Sequence, residues 1–284
     1  MKYKITNLKN NCAKVHLKFN LETDNCFYLL CTSDRHLDSK YSDHKMQKKH
    51  LDFIKAKKGL VIDCGDLFDA MQGSGDKRAA KSELIAALNS NNYSGELVNY
   101  AYEFLKPYKE NMLLIAKGNH ELSFRNKKEI DLTENLVTRL NDNGSNCVAG
   151  GYFGFVQLHF EHLAGGKKQG FDIFYSHGKE CGVVTAGITG TNRRKNMAQA
   201  DIYLSGHNHN SFVKKDSVIK MTRNGIIKFK EISHINIPSY KKEWLELDNW
   251  HASKQMPSKP IGSYLIKFYV STGSIIKYKI IEMN

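Results

Sequence analysis

The amino-acid sequence predicts an α/β fold that becomes β-rich towards its C-terminus. Two observations carry this expectation. Between residues 26 and 205, short apolar runs alternate with stretches of helical periodicity, the pattern of strands joined by helices. After residue 210 the helical period stops, and apolar and polar residues alternate one for one. The 284 residues are enough for one large domain with a buried core. Residues 1–284 therefore read as a single domain, with a motif-bearing core at about 26–210 and a C-terminal addition at about 211–284.

Residues 1–24 are weakly strand-like, and residues 26–31 form an apolar run that reads as a buried strand. Met46, His50, Phe53 and Ile54 follow at helical spacing. Residues 60–62 form the next short strand. Two helices come after it, one carrying Leu84, Ile85 and Leu88, the other Leu97, Tyr100, Ala101, Phe104 and Leu105. Residues 112–115 are a further buried strand, and Leu132, Leu136, Val137 and Leu140 mark a helix. Val156, Leu158 and Phe160 alternate with polar residues, Gly165-Gly166 turns the chain, and residues 171–175 and 202–204 are strands. In the tail, Arg223-Asn224-Gly225 signals a hairpin between Val218-Ile219 and Ile226-Ile227. Tyr264, Ile266, Phe268 and Val270 alternate up to a turn at residues 271–274, and Ile276, Tyr278 and Ile280 alternate after it. These strands can either pair with the main sheet or form a second sheet packed upon it.

Composition narrows the class. The six cysteines, Cys12, Cys26, Cys31, Cys64, Cys147 and Cys181, include no Cys-x-x-Cys pair. Neither a disulfide scaffold nor a thiolate zinc knot is expected, and Cys31 and Cys64 read as buried thiols. No apolar run approaches the roughly 18 residues that span a bilayer, and residues 1–5 lack a secretory signal. The expectation is a cytoplasmic protein with no membrane contact and no obligate protein partner. A net charge of +13 would draw phosphate-rich partners. It is also what scattered, solvated lysines produce.

Five short motifs each follow an apolar strand: Asp34-Arg35-His36, Gly65-Asp66-Leu67-Phe68-Asp69, Gly118-Asn119-His120-Glu121, His177-Gly178 and Gly206-His207-Asn208-His209. Loops at the carboxyl ends of strands in an open α/β sheet converge on one crevice. Carboxylate, amide and imidazole ligands without thiolate suit manganese first, and iron, zinc or nickel as well. Asp66 has two oxygens and could bridge a pair of divalent ions, an arrangement that clamps attacking and leaving oxygens at phosphorus. The glycines allow sharp turns and close backbone approach. His159 and His162 lie in or beside an amphipathic strand and read as surface or packing residues.

Taken together, the ordered set Asp-x-His, Gly-Asp-x-x-Asp, Gly-Asn-His-Glu, His and Gly-His-x-His resembles the calcineurin-like metallophosphoesterase superfamily across residues 27–210, its bacterial and phage members in particular. The resemblance implies a four-layer α/β/β/α sandwich with two divalent metal ions at the sheet edge. It implies that Asp34, His36, Asp66 and His209 hold one ion, and that Asp66, Asn119, His177 and His207 hold the other. His120 would serve the leaving group or the transition state, with Asp69 orienting it. His177 rests on the shortest motif. The stretch from Gly178 to Arg194 reads either as a glycine-rich phosphate-binding wall ending in Arg193 and Arg194, or as a plain loop followed by a basic helix face.

The reaction these residues point to is metal-dependent hydrolysis of a phosphate ester. The basic balance favours a phosphodiesterase or nuclease acting on nucleic acid or nucleotides. A phosphomonoesterase or pyrophosphatase on a small molecule or phosphoprotein uses the same site. A non-catalytic metal-binding scaffold would be expected to have decayed motifs, and here every motif is intact.

Overall fold

The computed structural model describes residues 2–20, 26–71, 83–88, 92–163, 165–166, 168–179, 185, 187–222, 224–244, 257–272 and 275–284. Cys181, Gly182, Arg223 and the turn residues 273–274 lie outside them. Two mixed β-sheets stack face to face. The first has seven strands in the order β1-β2-β7-β8-β9-β11-β10: β1 (Lys2–Leu8), β2 (Cys12–Phe19), β7 (Phe153–His162), β8 (Lys168–Ser176), β9 (Ile202–Ser205), β11 (Ile227–Asn236) and β10 (Phe212–Met221). The second has six in the order β13-β12-β3-β4-β5-β6: β13 (Ile275–Met283), β12 (Ser263–Ser271), β3 (Cys26–Thr32), β4 (Leu60–Asp63), β5 (Met112–Ile115) and β6 (Val148–Ala149).

Alternation along the strands builds the main core. Val15, Leu17, Val156, Leu158, Phe160, Ile173, Ile202 and Leu204 from the first sheet meet Leu29, Cys31, Leu60, Ile62 and Phe268 from the second. Phe27, Phe160, Phe171, Phe268 and Tyr278 form an aromatic knot inside it, with most ring pairs tilted or edge to face. The second sheet is buried on both faces, so its central strands are continuously apolar. Leu30, Val61 and Ile115 face a layer made by α1 (His44–Ala56), α2 (Tyr93–Leu105) and α4 (Leu132–Asp142). Leu51, Ile54, Leu97, Ala101, Leu105, Leu136 and Leu140 supply that layer's apolar stripe. Among the described residues, no helix is long and apolar enough to cross a membrane.

The stacked sheets and helices are what the motif resemblance implies, but the fourth layer is slight. The outer face of the seven-stranded sheet carries Lys14, His16, Lys18, Gln157, His159 and Glu161, with His16 and His159 stacked at 5.2 Å. A polar face offers helices nothing to bury. Among the described residues, Phe174, Tyr203, Ile232 and Ala200 make a small buried apolar cluster there, beside the short helix α5 (Thr189–Met197). The helix expected around Leu84–Leu88 shrinks to a 3₁₀ turn at Ala86–Leu88. One unforeseen helix, α3 (Asn119–Lys128), starts on the third motif itself. The tail is woven into both sheets: β10 and β11 extend the first beside β9, and β12 and β13 pair with β3 in the second.

Arg35, the middle residue of the first motif, has a structural task. It is fully buried, with Nε 2.7 Å from Asp63 Oδ2 at the end of β4 and Nη1 donating to Gln47 Oε1 of α1 at 3.0 Å. Its guanidinium lies 5.5 Å from the ring centre of Tyr240. Asp63 also accepts from Thr32 Oγ1 and the Gly65 amide. Removing one partner of a buried, hydrogen-bonded pair strands the other charge. Asp63→Ala is therefore expected to destabilise the chain by roughly 3–5 kcal/mol, read as a lower urea midpoint with an unchanged slope.

Candidate metal centre

The carboxyl ends of strands from both sheets point to one edge, and every motif lies in a loop or at a helix start there. Asp34 and His36 follow β3, Asp66 and Asp69 follow β4, and Asn119 and His120 open α3 just after β5. His177 follows β8, and His207 and His209 follow β9. The β3 and β4 loops stay paired beyond their strands: the Asp34 amide donates to the Gly65 carbonyl at 2.9 Å, and the His36 amide to the Asp66 carbonyl at 3.1 Å.

These loops hold an unusual backbone. Asp34, His36, Asp66, His207 and His209 all have positive φ, between 45° and 72°. Left-handed conformation costs a non-glycine residue on the order of 1 kcal/mol or more. Asp and His tolerate it better than most residues, and the flanking hydrogen bonds hold it in place. Two glycines are required by contact. A Cβ on Gly118 would collide with Asp66 Oδ1, and one on Gly206 with Ser33 Oγ and Asp34 Oδ2.

The side chains meet. His177 Nε2 is 3.0 Å from Asp66 Oδ2 and 2.9 Å from Asn119 Oδ1. His207 Nδ1 is 2.7 Å from the same Asn119 oxygen. On the other side, His209 Nε2 is 3.3 Å from Asp34 Oδ1, and the His36 and His209 rings are 5.5 Å apart. Ligand atoms of Asp34, His36 and His209 lie within 4.8 Å of one another, as do those of Asp66, His177 and His207. Asp34 Oδ1 and His177 Nε2, one from each group, are 4.0 Å apart.

Divalent cations fit this donor set. Asp34 Oδ1 and His36 Nε2 are buried without a hydrogen-bond partner, while His36 Nδ1 is paired with Asp69 Oδ1 at 2.8 Å. The imidazoles are also turned correctly. His177 Nδ1 is 3.1 Å from the Cys64 carbonyl, and His209 Nδ1 is 2.7 Å from Glu243 Oε1. Those partners are acceptors, so Nδ1 carries a hydrogen and Nε2 is the atom turned inward, free to bind a cation. Without a cation, protons must balance the charge. Burial opposes it, yet Asp66 and Asp34 lift His177 to about 9. Against the same burial, Asp34 and Glu243 lift His209 to about 10. Burial likewise opposes ionisation of Asp34, but His177 and His209 bring it down to about 2. A bound metal inverts this by taking the place of the protons.

All nine motif residues come together, but two details differ from expectation. Asp69 orients His120 through its backbone carbonyl, 2.5 Å from His120 Nδ1, and not through its carboxylate. That carboxylate instead faces His36 and the buried Lys241 Nζ, at 3.0 Å. Arg193 and Arg194 form no paired wall: on α5 the first is exposed and the second buried. Among the described residues no hydrogen bond or ion pair links either arginine to the metal cluster.

Three supporting residues were not singled out from the sequence. Glu121 is buried and accepts the amides of Gly118 at 2.8 Å, Phe68 at 2.9 Å and Asp66 at 3.1 Å, so it ties the second motif to the third. Burial and the neighbouring Asp66 raise its pKa to about 8. Lys241 and Glu243 come from the segment after β11. The rule that ligands follow strand ends would have pointed to them, but no motif marked the segment.

No family model and no curated protein matches the chain. Among solved structures it is similar to Vps29 complexed with Zn²⁺ from Entamoeba histolytica, at 12% identity and TM-score 0.37, over 91% of this chain and 100% of that one. A predicted phosphoesterase from Streptococcus pneumoniae is 11% identical with TM-score 0.37, over 91% of each chain. GAP50, the anchor in the inner membrane complex of Plasmodium, is 13% identical with TM-score 0.43, over 91% of this chain and 85% of that one.

Glu121 supports the ligands without being one. Glu121→Gln replaces one accepting oxygen by an amide that cannot accept the same N–H groups. Losses of this kind commonly weaken metal affinity about 10–100-fold. That range is expected in calorimetric titration with Mn²⁺, with the far-ultraviolet circular dichroism spectrum unchanged.

Proposed function

We propose that this chain is a phosphoesterase that uses two divalent ions, manganese before iron, zinc or nickel, to hydrolyse a phosphodiester of nucleic acid or nucleotides. One observation carries the reading: two three-residue groups of metal-ligating side chains, Asp34-His36-His209 and Asp66-His177-His207, lie side by side, with His177 Nε2 of one 4.0 Å from Asp34 Oδ1 of the other. The likeness of the ordered motifs to calcineurin-like metallophosphoesterases supports it, and the net charge of +13 favours a polyanionic substrate. When bound, such ions supply Lewis acidity towards phosphoryl oxygens and a water acidic enough to ionise near neutral pH.

The chain's own residues divide the remaining work. Asp34, His36 and His209 would hold one ion and Asn119, His177 and His207 the other, with Asp66 between them. Asp66 Oδ1 accepts the His120 amide at 2.9 Å, while Oδ2 faces His177. His120 Nδ1 donates to the Asp69 carbonyl, which leaves Nε2 towards the rim, 3.7 Å from Asp66 Oδ2. Its side chain is 12% exposed, whereas that of His177 is fully buried. His120 is therefore the imidazole placed to hold a proton towards a leaving oxygen. Lys241 neutralises Asp69 and so steadies the segment that carries the accepting carbonyl.

General acids contribute about 10²–10⁴-fold, and the contribution depends on the leaving group. His120→Gln is expected to keep both metals. Its activity should fall by about that factor on a phosphodiester with an alkoxide leaving group, and far less on one with p-nitrophenolate. Equal losses would assign His120 to charge stabilisation instead. Hydrolysis of phosphomonoesters alone, with single- and double-stranded DNA, RNA and cyclic nucleotides left intact, would overturn the diesterase assignment.

A further inference from the structure

On the outer face of the seven-stranded sheet, away from the ligand cluster, a second polar group is buried without partners. Arg194 of α5 is only 7% exposed, and its Nε and Nη2 make no hydrogen bond. His234 of β11 is 0% exposed, and neither of its ring nitrogens makes one. The His234 ring is held by stacking on Tyr203, 4.5 Å between centres and 17° from parallel. The nearest carboxylate is already engaged: Asp216 accepts Lys214 Nζ at 2.8 Å, and its distance of 3.6 Å to His234 Nε2 is too long for a hydrogen bond.

The surroundings compound the deficit. A Cβ on Gly190 would stand 3.1 Å from Arg194 Nη1, so the guanidinium folds back to the first turn of α5. That end of a helix carries the positive pole of its dipole, and α5 has no acidic residue in its first turn. Arg194 forms no ion pair among the described residues. Burial alone lowers its pKa to about 10, and burial together with the nearby Arg194 brings His234 down to about 4. A buried cation normally comes with a compensating charge, and a guanidinium fork matches the oxygens of a tetrahedral oxyanion.

We infer that Arg194 and His234 form a binding site for a phosphate-class oxyanion, separate from the metal centre, in which Arg194 Nε and Nη2 and one His234 nitrogen donate to the anion's oxygens. The site is joined to the ligand loop through its strand. Asn236, two residues further along β11 and on the same face as His234, bonds to Asn208 and to the Asn210 carbonyl in the loop that carries His207 and His209. The inference stands on this cluster and does not depend on the proposed hydrolysis.

Thermal unfolding of the metal-loaded protein tests it, in inorganic phosphate against chloride at equal ionic strength. Phosphate that binds the metals acts equally on wild type and Arg194→Met, so the difference between them reads the second site. Phosphate should raise the wild-type Tm by a few degrees more than that of Arg194→Met. In chloride the order should level or reverse, because the substitution removes an uncompensated buried cation. His234→Phe keeps the stack on Tyr203 and should lose most of the extra shift, which covers the case in which Arg194→Met does not fold. Thymidine 5′-monophosphate separates the sources. A shift with both ligands assigns the site to a nucleotide's terminal phosphate, and a shift with phosphate alone assigns it to the free anion. Equal phosphate shifts in wild type and both variants would mean an adventitious ion only and overturn the site. So would an Arg194→Met protein that is less stable in chloride while wild type gains nothing from phosphate, since Arg194 would then be a packing residue.

Discussion

Asp34 and Asp66 are buried carboxylates a few ångströms from five imidazoles, at the edge where two sheets meet, with the Asn119 amide beside them. Buried charges must be paired or coordinate a metal, and this constraint organises the rest of the structure. It requires strand ends from both sheets to finish at the same level. It also requires loops that turn back sharply, which is why five of the ligand-bearing positions have left-handed backbone. Gly118 and Gly206 complete the geometry, because any side chain there would occupy the space of the carboxylates.

Ion pairing inside the protein accounts for only part of the charge. Lys241 answers Asp69 and Arg35 answers Asp63, each through close contacts. Among the described residues the ion pairs of Asp34 and Asp66 are with histidines, and two of these, His177 and His209, commit Nδ1 to the Cys64 carbonyl and to Glu243. With Nδ1 so committed, Nε2 of each faces the carboxylates, carrying a proton while no cation is bound and offering its lone pair when one is. The network also explains why the tail cannot be a detachable addition. Ser239 and Tyr240 both donate to the Asp34 carbonyl, and Lys241 and Glu243 hold Asp69 and His209.

Much of this was legible in the sequence. The strands before each motif are short apolar runs with turn residues after them, so their positions and the convergence of Asp34, Asp66, Asn119, His177 and His207 followed from pattern alone. Features that depend on tertiary distance were not legible. Adjacent residues on a helix point about 100° apart, so Arg193 and Arg194 face opposite environments, and their spacing in sequence suggested a pair that the helix separates. Lys241 and Glu243 sit in a segment with no motif, and only the return of β11 to the sheet edge brings them to the site. The thin outer layer likewise reflects the polar face shared by β2 and β7, which emerges only when strands far apart in sequence pair. Asp69 shows a subtler limit: the right residue was identified, but the acting atom is its carbonyl.

The central claim is that one chain holds two divalent ions that share Asp66. Equilibrium dialysis against Mn²⁺ followed by elemental analysis and electron paramagnetic resonance tests it directly. The account predicts two ions per chain and an exchange-coupled signal, as expected for ions about 3.5–4 Å apart. A single ion per chain, or two ions with independent signals, would contradict it.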